Sequence, residues 1–347
     1  MVSACGDVIG VQAQVLGAAR LSLRARVEGI TAADVDRALW SDRTLVKAWA
    51  MRGTLHLLPS EDLLGTLRPL QGKPLRDLQG WSGAGLTAKE IQGVVAAIVA
   101  AVKDRALTRG EIADAIVGQV GEKARRWIEH QWGGLVRSAC LLGLACFGPP
   151  RGGETTFVSR ESWLPGARIP TASAGVLLIR RYLRSFGPAS AQDASAWSGM
   201  GVREVLSIAE GLREELVNVK TADGQGWILR EDLRALETAK LLSPCVNLLP
   251  NFDTYLLAHR KKDAVIDPAR KSKVYRPAGW ISAAVLVDGR VVGTWSLERV
   301  ARQIEVGITP FATMPKVVRE AVAAEVEDVG RFLGELAEPR WIRPRRA

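Results

Sequence analysis

The sequence predicts a mainly helical α+β fold with small β-sheets, made of three tandem units and a C-terminal region rich in strands. Apolar residues recur at helical spacing over much of the first 240 residues. Two sets of helices are each followed by a pair of short strand-like runs, and the N-terminal stretch can be interpreted in the same way. The 347 residues, 47% of them hydrophobic, can supply each unit with a core. We expect the units to span residues 1–85, 86–170, 171–241 and 242–347.

The first unit is expected to contain helices and one strand. Apolar residues suit a helix over residues 14–26, and Thr31, followed by an acid three positions later, predicts a capped helix that ends near residue 40. We expect a further helix over residues 41–49. The apolar and β-branched residues 52–58 then predict a strand that stops before a proline.

The second unit has the clearest pattern. Thr108 and Glu111 form a capping-box sequence, and residues 122–142 are predicted to be one long amphipathic helix. Two strand-like runs, 144–147 and 155–158, flank a Gly- and Pro-rich segment. This order is that of a winged helix, in which a helix-turn-helix carries a β-ribbon.

The third unit repeats this order. A helix ends at Phe186, and two shorter helices are predicted over residues 191–197 and 202–210. The strand-like runs 216–219 and 227–229 then surround Asp223-Gly224, a dipeptide typical of hairpin turns.

The C-terminal region begins with an irregular, proline-interrupted apolar stretch. It continues with a basic run over residues 260–276, where seven Lys or Arg residues against two Asp give a net charge of +5. Residues 283–295 predict a hairpin around Asp288-Gly289. The chain should close with a strand (303–308), a helix (316–336) and an Arg-rich tail (340–346).

Composition favours a polyanionic partner and disfavours a metal site. The net charge is +10 and the pI about 9.8, as is common for proteins that bind nucleic acid. Four Cys and three His residues match no zinc-site spacing, so we expect no metal and no cofactor. No signal peptide or membrane-spanning run is recognised, and we expect a monomeric protein in a reducing cytoplasm.

Two amide side chains, Gln12 and Gln14, stand in an otherwise apolar segment of small residues. They must be hydrogen-bonded or exposed to something that needs them. Side chains two residues apart diverge on a helix but share a face in an extended segment. If both serve one site, we therefore expect them in an extended entry or at the first turn of a helix, an irregular start that Gly10 would permit. The alternative is that they are ordinary polar residues at a helix N-terminus.

Four motifs, taken together, resemble the winged-helix AlkZ/YcaQ-like DNA glycosylases over almost the whole chain. They are residues 10–14, 49–59, 248–260 and 285–295. The family motif is Gln-x-Gln in one branch and Gln-x-Asp in another, and this chain resembles the AlkZ branch. A helical stretch that usually precedes the motif is shortened or absent here.

The resemblance implies a concave, C-shaped cleft for double-stranded DNA that contains alkylated purines. It implies a monofunctional glycosylase that removes bulky N7-alkylguanine adducts or crosslinks and leaves an abasic site. Such proteins often provide self-resistance to DNA-alkylating antibiotics. Gln14 would orient the water and Gln12 would position the substrate, with both side chains converging on one open channel.

Other residues are candidates for supporting roles or for DNA contact. His56 and Arg52 are expected to share one face of a strand, where Arg52 could bind phosphate and His56 could equally be structural. Asn251 and Asp253 could face the channel or could satisfy an irregular turn. The candidates for DNA contact are Arg260, Lys261, Lys262 and Arg290, the last at the tip of a hairpin that could equally be solvated.

Two other function classes remain open at this stage. A transcription regulator would need a strongly basic recognition helix and a sensor or dimerisation module, neither of which is evident. A scaffold for protein contacts is disfavoured by the net charge. Excision assays on N7-methylguanine DNA would distinguish an enzyme from both.

Overall fold

The computed structural model describes residues 1–71, 85–130, 134–167, 173–221, 224–240, 243–300 and 303–343. The expected α+β class is confirmed: helices and antiparallel strand pairs alternate before a five-stranded C-terminal sheet. Over these ranges, every helix is too short or too polar to cross a bilayer.

The first unit combines short helices with a three-stranded antiparallel sheet of order β1-β3-β2. Thr31 and Asp34 form the predicted capping box. A 3₁₀ turn precedes β3. The elements are α1 (Val2–Asp7), β1 (Val11–Gln12), α2 (Leu16–Arg24), α3 (Ala32–Trp40), β2 (Leu45–Trp49), β3 (Leu55–Pro59) and α4 (Leu63–Leu67).

The prediction of a helix over residues 41–49 was wrong, because this segment forms β2. Four of its five residues are buried, so the strand is covered on both faces and shows no alternation of polar and apolar residues. Its apolar positions therefore fit helical spacing equally well. Pairing with β3 along the full length of β2 decides the outcome.

The second unit places four helices before a two-stranded antiparallel sheet. The capping box of Thr108 and Glu111 is confirmed. The elements are α5 (Ala88–Ala101), α6 (Arg109–Val120), α7 (Glu122–Glu129), α8 (Gly134–Leu141), β4 (Ala145–Arg151), β5 (Glu154–Ser159) and α9 (Arg160–Trp163).

The single long helix predicted over residues 122–142 was also wrong. Helix α7 ends because His130 is extended, with φ −62° and ψ 114°. Helix α8 begins at Gly134, whose φ of 74° belongs to the left-handed region that glycine adopts most easily. Residues 131–133 lie outside the described residues.

The third unit follows its predicted order closely. Its elements are α10 (Ala174–Phe186), α11 (Ala191–Ser198), α12 (Val202–Gly211), β6 (Leu216–Thr221), β7 (Gly224–Leu229) and α13 (Leu233–Thr238). Asp223 of the predicted hairpin turn lies outside the described residues. The interpretation of the three units as winged helices, their boundaries and the C-shaped cleft stay predictions.

The C-terminal region is a five-stranded sheet of order β12-β11-β10-β9-β8, with one long helix packed against it. The predicted hairpin is confirmed, since Asp288 and Gly289 both have positive φ, 51° and 77°. The elements are β8 (Val246–Leu249), α14 (Thr254–Leu257), α15 (Lys271–Val274), β9 (Ala284–Val287), β10 (Arg290–Val300), β11 (Gln303–Pro310), α16 (Lys316–Leu333) and β12 (Ala337–Trp341).

The last strand was not predicted. Strand β12 runs parallel to β11 and includes residues 340 and 341, the first two of the expected Arg-rich tail, whereas residues 344–346 lie outside the described residues. Within β12, Arg340 pairs with Glu305 of the adjacent β11 and with Glu298 of β10, so its charge is compensated inside the sheet.

The first unit lies at the centre of the molecule's packing. Its strands share one core with Tyr182 and Trp197 of the third unit. Helix α2 shares another with Phe332 of α16. Arg24 adds ion pairs to Glu325 and Asp328 of α16 (both 2.9 Å). The glutamine segment that joins β1 to α2 is therefore held from both sides.

Candidate active site

Gln12 lies at the end of a strand and Gln14 lies at the bend that leads into α2, so neither glutamine is in the middle of a helix. Gln12 is the last residue of β1 and is directly opposite His56 of β3. The backbone N–H of Ala13 continues the pairing to the carbonyl oxygen of Leu55 (2.6 Å), and α2 begins only at Leu16. Because Gln14 lies at a bend rather than in the strand, the convergence of both side chains on one open channel stays a prediction.

Gly10 makes this path possible. Its φ is 88°, and a Cβ atom there would lie 2.5 Å from the side chain of Leu58 and 2.6 Å from the carbonyl oxygen of Leu57. A side chain would meet both a strained backbone conformation and a neighbouring strand.

The environments of the two amides differ. Gln12 is only 7% exposed, and its Oε1 accepts a hydrogen bond from a terminal NH₂ group of Arg52 (2.9 Å). Gln14 is exposed and makes no hydrogen bond to any described residue. The structure therefore holds one amide in a fixed orientation and leaves the other open to an incoming molecule.

Arg52 does not lie in the strand, contrary to expectation. It occupies the 3₁₀ turn Met51–Gly53 with a left-handed φ of 57°. Its guanidinium donates to the carbonyl oxygen of Trp197 in α11 as well as to Gln12. Burial lowers the pKa of Arg52 to about 10, so the group remains a cation at neutral pH. This turn brings the third unit to the glutamine segment.

His56 lies across from Gln12 but is closed off from solvent. It is 3% exposed, and its Nδ1–H donates to the carbonyl oxygen of Thr54 (3.1 Å). Burial and then the positive charge of Arg52 lower the pKa of His56 to about 3. A neutral imidazole at pH 7 is unsuited to protonating a departing base.

Asn251 borders a cavity of about 350 Å³ beside the glutamine segment. Val15, which follows Gln14, and Trp295 of β10 also line this cavity. The Asn251 amide donates to the carbonyl oxygen of Ile281 (3.1 Å), which stabilises the turn after β8. This bond joins the turn after β8 to a segment 30 residues away rather than closing a local turn, and both interpretations of Asn251 stay predictions.

Asp253 has a fully partnered carboxylate. It is 1% exposed, receives two hydrogen bonds from Arg26 (2.8 Å each) and one from Ser22 (2.5 Å), and caps α14 through Tyr255. Burial raises its pKa, but the charge and hydrogen bonds of its partners lower it further, so the carboxyl is ionised. These are the contacts of a structural ion pair, and we do not carry Asp253 into the proposed site.

The predicted DNA-contact residues form a loop and a hairpin end that are tied together. Arg290 is exposed, and its guanidinium donates to the carbonyl oxygen of Ala264 (2.9 Å). Arg260 is exposed, and its backbone N–H donates to Asp193 (2.8 Å). Lys261 is exposed as well.

Lys262 differs from its neighbours because it is only partly exposed. Its ammonium donates to the carbonyl oxygens of Leu256 (2.8 Å) and His259. Burial and then the nearby charge of Arg52 lower its pKa to about 8. Lys262 is thus a cation held close to the Arg52 side of the site.

Sequence reasoning missed the contact that organises this site. The acceptor that anchors Arg52 is a backbone carbonyl 145 residues away in another unit, which no local pattern reveals. The partner of Asp253, Arg26, was likewise not singled out. In the described ranges, no group of three or more His, Cys, Asp or Glu side chains is arranged to hold a metal ion.

Comparison with known proteins gives the same family over nearly the whole chain. The family described as DNA glycosylase AlkZ-like matches residues 6–332. An interstrand DNA cross-link repair glycosylase from Streptomyces sahachiroi is 30% identical over 351 aligned residues, which cover 95% of this chain and 90% of that protein. The solved structure of the Streptomyces sahachiroi DNA glycosylase AlkZ has a TM-score of 0.83 and 28% identity, and the match covers 99% of this chain and 94% of that one. The chain therefore belongs to the AlkZ-like DNA glycosylase family.

Proposed function

We propose that the protein is a monofunctional DNA glycosylase that hydrolyses the N-glycosidic bond of alkylated purines, above all bulky N7-alkylguanine adducts or crosslinks. The observation that carries this proposal is the pair of amides between β1 and α2, with Gln12 fixed by Arg52 and Gln14 open. The family supports glycosylase chemistry, and the Streptomyces relative is named for interstrand cross-link repair.

The chemistry needs little acid catalysis. An N7-alkylated guanine already carries positive charge, so the bond from C1′ to N9 can break with its electron pair passing to the base, which leaves neutral. The sugar becomes oxocarbenium-like at C1′. A water molecule then adds there and loses a proton to solvent, which leaves an abasic site. A neutral His56 is compatible with a reaction that requires no proton donor.

The two amides suit different parts of this reaction. The Oε1 of Gln14 is free to accept a hydrogen bond from the water and to face the positive charge at C1′. The Oε1 of Gln12 is occupied by Arg52, so its NH₂ group is the part left to contact DNA. We therefore assign Gln14 to the water and Gln12 to positioning.

The exposed position of Gln14 suits a bulky lesion. A base carrying a large or crosslinked adduct cannot be flipped into a tight pocket. A cavity of about 350 Å³ falls within the size range of small-molecule sites and is lined partly by the apolar residues Val15, Leu297 and Trp295, of which Val15 directly follows Gln14 in the chain. We propose that it receives part of the adduct, and that the protein protects cells exposed to DNA-alkylating antibiotics.

Excision from a duplex with a single N7-methylguanine tests the enzyme directly. The wild type should release the base, and alkali should then cut the strand at the lesion. Gln14→Ala should lower the single-turnover rate by about 100-fold or more, as loss of one well-placed polar group does elsewhere. Gln119→Ala, the same change at an exposed glutamine of α6, is the matched control and should leave the rate unchanged.

The outcomes separate the competing functions. Binding without release of the base would identify a DNA-binding protein and refute the enzyme. Release at the wild-type rate by Gln14→Ala would refute the assigned role of Gln14. A crosslinked duplex and a duplex with a bulky N7 adduct, assayed alongside, should be processed at least as well as the methylated one.

A further inference from the structure

The arginines of the central region differ in how their charges are compensated. Arg24 is 4% exposed and pairs with Glu325 and Asp328, and Arg26 pairs with Asp253. Among the described residues, Arg52 has no carboxylate partner. Its acceptors are neutral: the carbonyl oxygen of Trp197 and the amide oxygen of Gln12.

An uncompensated and partly buried cation is costly to keep. Arg109 also lacks a described carboxylate, but its guanidinium lies 4.9 Å from the ring centre of Phe157, which offsets part of that cost. No ring faces Arg52 among the described aromatic residues. Its backbone adds a second cost, because φ is 57° in a non-glycine residue. A strained cation that lacks a protein anion is what a binding site for an external anion requires.

We propose that Arg52 receives one backbone phosphate beside the excised nucleotide and simultaneously positions Gln12. This inference rests on the proposed function, since it assumes that DNA enters next to Gln12. An arginine has five N–H donors in a planar fork, of which the described contacts use two. The fork matches the geometry of phosphate oxygens.

Neighbouring groups fit this assignment. Lys262 donates to the carbonyl oxygens of Leu256 and His259 and lies 5.3 Å from the ring centre of Tyr275. Burial and then the positive charge of Arg52 lower its pKa. The charge of Asp193 offsets part of that of Lys262, but among the described residues neither cation forms a salt bridge, so together they attract a phosphate more strongly than either alone. A bound phosphate would also remove the repulsion between Arg52 and the positive charge at C1′, and would itself stabilise that charge.

Salt dependence of binding is the first test. The probe is a duplex with a tetrahydrofuran abasic analogue, which the enzyme cannot process. For Arg52→Gln, the slope of log affinity against log salt concentration should become shallower by about 0.9, the value for one lost phosphate contact. Arg213→Gln removes the same charge from an exposed residue of the third unit, whose partners are Glu210 and Glu214, and should leave the slope unchanged.

A phosphate scan is the sharper test. Methylphosphonate is placed at one position at a time near the abasic analogue. One substitution should weaken binding by the wild type about tenfold or more, the usual scale for a charged hydrogen bond, and have no effect on Arg52→Gln. Equal effects on both proteins at every position would overturn the proposal. If Arg52→Gln does not fold, Arg52→Lys replaces it, and the methylphosphonate at that position must weaken binding by Arg52→Lys less than binding by the wild type. An equal loss of affinity in both proteins would overturn the proposal.

The positioning role has its own measurement. With DNA saturating, Arg52→Gln should excise N7-methylguanine more slowly, and Arg52→Lys should recover part of the rate because it can still donate to Gln12. An unchanged rate at saturation would overturn positioning. Failure of the phosphate test with normal excision by the wild type would refute only the Arg52 site, whereas absent excision would refute the proposed function.

Discussion

The buried ion pair between Arg26 and Asp253 gives the most quantitative prediction. Asp253→Asn keeps the shape of the side chain but removes the charge that compensates Arg26, whose side chain is 17% exposed. Removing one partner of a buried pair typically costs about 3–5 kcal/mol. We therefore expect a large fall in the free energy of unfolding and a melting temperature lower by roughly 5–10 °C.

The chain offers a close control for this change. Asp36→Asn breaks the ion pair to Arg20, which also belongs to the α2 region, but both side chains are more exposed, 39% and 27%. Exposed pairs contribute about 1 kcal/mol or less. Denaturant titration and thermal melting of both variants measure the difference. Arg26→Met should cost as much as Asp253→Asn, and the double variant should cost less than their sum.

This experiment also decides the role of Asp253. If its contacts are structural, Asp253→Asn should be less stable yet excise at nearly the wild-type rate at a temperature where it is folded. Wild-type stability combined with lost excision would refute the structural argument and return Asp253 to the active site. Equal decreases in the free energy of unfolding of Asp253→Asn and Asp36→Asn would show that burial does not determine how much each ion pair contributes to stability.

Three further predictions concern the glutamine segment. His56 titrates near pH 6.5 when unfolded but near 3 when folded, so the unfolded state binds more protons between these values. The contribution of His56 to the free energy of unfolding should therefore be fully present above about pH 6.5 and fall by up to about 1.4 kcal/mol per pH unit below it. Urea titrations should find this loss smaller in His56→Gln and unchanged in His130→Gln. Gly10→Ala should lower the free energy of unfolding by about 1–3 kcal/mol and impair excision, whereas Gly17→Ala, where an added Cβ meets nothing within 4 Å, should be neutral or slightly stabilising. Thermal melting tests both variants, and equal effects would contradict the close approach at Gly10. Gln12→Glu should place a carboxylate against Arg52, raise the melting temperature and weaken DNA binding; tighter binding would contradict the idea that Arg52 needs an external anion.

The elements that could be predicted were those specified by a few adjacent residues. A capping box needs only residues three apart, which is why Thr31 and Thr108 marked helix starts correctly. The Asp288-Gly289 turn was predictable for a similar reason, since two positive φ angles select these residue types. The strand β2 was not, because its identity depends on pairing with β3, and burial on both faces removes the alternation that would reveal it.

In the candidate site, too, the sequence revealed local features but not the contacts between residues that are distant in the chain. The position of residues 12–14 between the positive-φ Gly10 and the start of a helix was expected from the sequence. The orientation of Gln12 was not, because it depends on an arginine in a left-handed turn that is anchored to Trp197 in another unit. Likewise, the partner of Asp253 is 227 residues away, so a carboxylate that looked available in the sequence proves to be occupied.

The unequal environments of the two glutamines bear directly on mechanism. Two amides that shared one open channel would be interchangeable in principle, and either could orient the water. Here the oxygen of Gln12 is already bound, and only 7% of this residue is exposed, so it can offer DNA little beyond N–H groups. A water that is to be oriented for attack needs a hydrogen-bond acceptor, and the free oxygen of Gln14 is the amide oxygen of this pair that remains available. The divided roles therefore follow from one hydrogen bond. If that bond is what separates them, Arg52→Met should free Gln12, and the loss on Gln14→Ala should become smaller in that background than in the wild type.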